Sequence, residues 1–145
     1  MDITVEGVLN AFVETGLKPR WASYGNGKDD GCGVTALALH RFGRLNDEEE
    51  NKPDTMQLRQ ECGKREVVHF ITGYEKGRSE ASRDNTRRGE LFTREHEVGF
   101  EVAERLDRNH NDARLALIEL QAEGVRTEKA SQSSDRELAL AELVV

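Results

Sequence analysis

Chemistry is most easily imagined at Cys32. It lies in the glycine-rich stretch G-N-G-K-D-D-G-C-G, residues 25–33, and opens the apolar run V-T-A-L-A-L-H-R-F, residues 34–42. A thiol on the first turn of a helix has three possible occupations. It can be a nucleophile, because a helix N-terminus favours the thiolate. It can be a metal ligand. It can be a small core residue, since cysteine is among the residue types most often found buried. We read it as the third. For zinc, Cys32, His40, Cys62 and His69, with His96 and His110 farther along, supply enough ligand types for a four-coordinate site. No pair of them has the C-x-x-C or H-x-x-x-H spacing that builds one. His40 and His69 are expected as helix residues at the edge of the core, and His110 in an exposed turn. The loop is no phosphate cradle either: it lacks the G-x-x-x-x-G-K-[ST] order, no apolar strand precedes it, and Asp29 and Asp30 would repel a phosphate. The same two aspartates suit the positive end of the helix that follows. No residue pattern asks for a cofactor.

The Cys32-Gly33 helix start, with L-A-L behind it and Gly43 beyond, resembles the nucleophile helix of papain-like peptidases of the bacteriocin-processing kind, and H-F-I-T-G-Y, residues 69–74, resembles their histidine strand. The resemblance implies a cysteine hydrolase with Cys32 as nucleophile, His69 as base, Asn85 orienting the imidazole, and Asn26 where such enzymes carry a glutamine for the oxyanion. The chain departs from that pattern at three points. Asn replaces Gln, only 37 positions separate Cys32 from His69, and K-G-R-S-E-A-S-R-D follows where a second apolar strand belongs. A wider resemblance spans residues 8–106, carried by G-L-K-P-R-W-A-S-Y, G-C-G-V-T-A-L-A-L, R-E-V-V-H-F-I-T-G-Y-E-K-G-R and H-E-V-G-F-E-V-A. This order is similar to that of small bacterial helical proteins with no assigned activity, in which a cysteine-containing apolar helix precedes two glycine-aromatic helices. It implies a helical fold and leaves function open.

The elements that must position these residues read mostly as helices. Val5, Val8, Leu9, Phe12 and Val13 share one helical face; Thr4 can cap that helix, Gly16 can end it in a left-handed conformation, and Pro19 prevents its continuation. Trp21 and Tyr24 follow in a segment too rich in glycine for a long strand, with their rings expected over the core. The next helix, starting at Asp30 or Gly31 and ending at Gly43, is apolar on nearly every side and should be the most buried. A charged loop, residues 46–54, leads to a short helix through Met56 and Leu58 that ends at Cys62-Gly63. Residues 64–77 have the β-branched content of a strand, but Val67, Phe70, Ile71 and Tyr74 recur at helical spacing, which predicts helix. Residues 78–90 read as a polar, flexible connection in which Arg78, Arg83, Arg87 and Arg88 are interleaved with acids. A helix over Phe92–Leu106 follows, then another from Asn109 or Asn111 to Gly124. Gly73-Tyr74-Glu75 and Gly99-Phe100-Glu101 repeat a glycine, an aromatic and a glutamate, as would suit two helices that cross at the glycines. After a linker, S-D-R-E, residues 134–137, is a capping-box pattern for a terminal amphipathic helix.

The sequence thus predicts an all-α domain over residues 1–125, a compact bundle of about five helices, with a flexible connection and C-terminal helix over residues 126–145. Its 145 residues suit one domain and carry 21 basic and 28 acidic side chains, a net charge of −7. That balance works against capture by nucleic acid or an anionic membrane, and the acidic excess is spread over both halves of the chain. No run is long enough to span a bilayer and no secretory signal is seen, so a cytoplasmic location with reduced cysteines is expected. Leu138, Leu140, Leu143 and Val144, together with Leu115 and Ile118, exceed what one small core needs. The function expected is therefore that of a binding or interaction protein without catalytic activity, a homo-oligomer or the partner of another protein. The alternative is the cysteine hydrolase.

Overall fold

Seven α-helices and one two-residue parallel bridge make up the regular structure of residues 2–43 and 55–124, the part of the chain that the computed structural model describes. The fold is all-α, as the hydrophobic periodicity predicts. None of the described helices is long and apolar enough to cross a membrane. The acidic stretch 47–50 lies outside the described residues, as do the expected linker, the terminal helix and Leu138, Leu140, Leu143 and Val144.

Helix α1 (Val5–Thr15) starts and stops where its sequence says it should. The Thr4 hydroxyl accepts the Gly7 N–H at 3.0 Å, and Gly16, at φ 72°, donates its N–H to Phe12. The chain then extends, and β1 (Lys18–Pro19) pairs in parallel with β2 (Asp30–Gly31). Lys18 and Arg20 donate to Asp29 and Gly31, so Pro19, which has no N–H, falls between the two bonds at no cost. The intervening loop is held from inside. The Asn26 side-chain oxygen accepts the N–H groups of Lys28, Asp29 and Asp30, and the Asp30 carboxylate accepts that of Asn26.

Helix α2 (Gly33–Phe42) begins two to three residues later than its acidic approach suggests, with Cys32 at the capping position, and ends at Gly43. Every residue from Gly33 to Ala38 is buried, which makes α2 the central helix. Gly33 is required there: a methyl group on it would lie 2.7 Å from the Phe70 ring. Helices α3 (Thr55–Cys62) and α4 (Lys64–Lys76) follow, and α4 buries Val67, Phe70 and Tyr74 on one stripe. Helical spacing has prevailed over β-branched content because it puts these side chains on one face, where a strand would divide them between two.

The segment expected as a flexible connection is more ordered than its polarity suggests. Ser79 caps a short α5 (Glu80–Asn85), and a 3-10 turn follows at Arg88–Glu90. Arg83 donates to the Gly77 carbonyl and to Asp107, tying α5 to α6. Helix α6 (Arg94–Arg108) starts from Thr93, whose hydroxyl accepts the His96 N–H, so Phe92 falls outside the helix and is 79% exposed instead of joining the apolar stripe. After α6 the chain reverses through His110 and Asn111, both left-handed, and α7 (residues 113–124) is capped by Asp112 instead of Asn109 or Asn111.

Among α1 to α6 the largest helix–helix interface joins α4 and α6, and glycines permit it. A methyl on Gly73 would run into the His96 carbonyl oxygen, and one on Gly99 into that of Phe70. The repeated glycine-aromatic-glutamate pattern therefore marks a backbone-to-backbone crossing.

Candidate functional site

Cys32 sits at the base of a cleft of about 350 Å³ between the loop after β1 and helix α4, lined also by Ala22, Ser23, Tyr24, Ile71 and Glu75. The loop is clasped onto α4 from several points. Trp21 stacks on Tyr74 with ring centroids 4.9 Å apart and donates its indole N–H to the Tyr74 carbonyl, while the Tyr74 hydroxyl donates to the Arg20 carbonyl. Ala22, at φ 67°, donates its N–H to the Glu75 carboxylate at 2.9 Å. Trp21 thus anchors the loop as its sequence suggests. Tyr24 does not: its ring is largely exposed, and its contribution is a carbonyl that accepts from Cys32 N and from the Thr35 hydroxyl.

These bonds fix the state of the thiol. The Thr35 hydroxyl has one proton and gives it to the Tyr24 carbonyl at 2.8 Å, so in the 3.5 Å contact between Cys32 Sγ and Thr35 Oγ1 the thiol is the donor. Burial pushes the Cys32 thiol above its ordinary range and outweighs the N–H groups of Thr35 and Val34, which favour the thiolate; the Glu75 charge pushes it up further. Cys32 is 1% exposed. A protonated thiol so nearly buried has the properties of a core residue.

His69 lies on the other side of α4. At about 100° per residue, two positions separate it from Ile71 by about 200° around the helix axis, and Ile71 faces the Cys32 cleft. Its Nδ1 hydrogen-bonds the Thr93 hydroxyl at 3.0 Å, and its ring stacks on His96 with centroids 4.4 Å apart. The other residues named by the peptidase resemblance are dispersed as well. Asn26 spends its side-chain oxygen inside its own loop, and Asn85 is exposed at the end of α5. Of the candidate metal ligands, His40 is exposed in the last turn of α2, Cys62 is buried at the end of α3, and both cysteines are free thiols. Among the described residues no three His, Cys, Asp or Glu side chains gather as they would around a metal ion.

Two clusters escaped the sequence reading. One is the His69–His96 stack, whose signal was present: His69 and His96 stand four and three residues before the crossing glycines Gly73 and Gly99, so each lies about one turn from the crossing. The other is an ion network that fixes α7 to α6. Arg105, 6% exposed, binds Glu101, Glu119 and Glu123, and Arg108 binds Glu104 and Glu119. The Arg108 hydrogen bond, with help from Asn109, holds the Glu119 carboxyl down to about 2. With that side of α7 held and Ala113 and Ala116 buried, Leu115 and Ile118 point outward at 47% and 54% exposure.

Comparison of the chain with protein-family models, curated proteins and solved structures finds no match.

Proposed function

We propose that this chain is a small cytoplasmic interaction protein without catalytic activity, and that its partner is a protein, a second copy of itself in the first instance. The carrying observation is the two-sidedness of α7. One side is buried through Ala113 and Ala116, the flank is tied to α6 by arginine–glutamate pairs, and Leu115 and Ile118, one turn apart, form an apolar stripe facing outward. Scattered surface apolar residues need no explanation, but a second stripe on a helix that has already met its core does. Self-association through isologous contact of this stripe would cover it. The two free, buried cysteines suit a reducing compartment.

Sedimentation velocity of the native chain and of the double variant Leu115→Glu/Ile118→Glu tests the reading. The native chain is expected to sediment as an oligomer and the variant, whose changes are at exposed helix positions, as a folded monomer. Equal sedimentation of the two would remove the stripe from the interface.

A further inference from the structure

His96 is the one described histidine that the fold buries, at 7% exposure, and it is placed where a proton would be costly. Its Nδ1 is buried with no hydrogen-bond partner. One face of its ring lies against His69, with ring centroids 4.4 Å apart, and the Phe92 ring packs edge-on with centroids 6.3 Å apart. A neutral imidazole tolerates this, because one of its nitrogens is an acceptor that can stay unprotonated. An imidazolium has two donors. In this berth the donor at Nδ1 would face no acceptor, and the charge would sit against a second imidazole instead of a carboxylate.

We propose that the His69–His96 stack is a proton-operated latch on the α4–α6 crossing. Neutral, the pair clamps the first turn of α6 against α4, and the Thr93 hydroxyl joins the two by accepting the His96 N–H and sharing a hydrogen bond with His69. Protonated, His96 leaves the stack, and the α4–α6 contact loosens at the Phe92 end. The backbone amplifies the change, because the His96 carbonyl oxygen is the atom packed against Gly73. The surrounding charges weigh mostly against a cation. From α4, His69 and Lys76 both disfavour a cation at His96; on α6 itself only Glu95 favours one. Glu90 of the 3-10 turn is paired with Lys76, and Asp2 of the N-terminal segment with Arg94. Burial is the largest cause holding the His96 imidazole below its ordinary range.

The sign follows from linkage. A histidine held low in the fold takes its proton first in the opened state, so closure is unpenalised above about pH 6.5 and weakens as pH falls from there toward the depressed folded value. The test is amide hydrogen exchange of residues 69–76 and 94–99 between pH 7.5 and pH 5, corrected for intrinsic exchange rates, alongside the NMR titration of each histidine ring. Opening of these amides is expected to rise as pH falls below about 6.5 and to level off where the folded His96 ring takes its proton. His96→Phe should abolish the rise and His110→Gln should leave it intact. A rise that persists in His96→Phe, or no rise at all, would overturn the latch. Should His96→Phe fail to fold, the native chain alone decides: a rise that does not level off where the His96 ring titrates also overturns it.

Discussion

Burial and hydrogen bonding act together on the Cys32 thiol, and each closes a different route to reactivity. Burial raises the energy of the thiolate, and the Thr35 hydroxyl, committed to Tyr24, leaves the sulfur to donate its own proton. Native Cys32 should therefore react with iodoacetamide more than about tenfold slower than a free thiol from pH 6 to 9, read by peptide mass spectrometry so that Cys62 is counted separately. Fast labelling near pH 6 would restore the nucleophile reading. Glu119 is the acidic counterpart. Its carboxyl, held down to about 2 by Arg108, contributes stability that is complete above about pH 4.5 and is lost as pH falls through 2. Glu119→Gln should lower the denaturant midpoint at pH 7 and flatten its decline between pH 4.5 and 2. The His96 response begins higher, at about pH 6.5, so the two acid responses start at different pH.

At the scale of elements, the crossing of α4 and α6 is the least forgiving place in the fold. Gly73→Ala and Gly99→Ala each drive a methyl into a carbonyl oxygen of the facing helix. Despite the gain in helix propensity, each should cost at least about 2 kcal/mol in chemical denaturation, in the range of overpacked cores. Gly89→Ala, which meets nothing within 4 Å, should be close to neutral. That crossing was legible in the sequence as a repeated Gly-aromatic-Glu, and α1 and α4 were legible from apolar spacing with caps, because both signals are local. Short α5 was not, since it has no buried residue and rests on the reach of Arg83 to Asp107 across 24 positions. The cleft above Cys32 was hidden for the same reason. The bond from Ala22 to Glu75 joins residues 53 apart, and nothing local announces it.

At the scale of the whole molecule, the net charge of −7 and the outward stripe on α7 pull in opposite directions. Like charge keeps copies apart at long range, while the apolar area buried in the proposed self-association would draw them together at contact. Salt should therefore strengthen association by screening the repulsion, so the association constant is expected to rise between low and 0.15 M ionic strength. An interface built on ion pairs would show the reverse. The most direct single test is the solution mass of the native chain by sedimentation equilibrium over a hundredfold range of concentration. A mass that climbs from monomer toward a closed oligomer is the expected result; a monomer at every concentration would contradict self-association as this protein's mode of action.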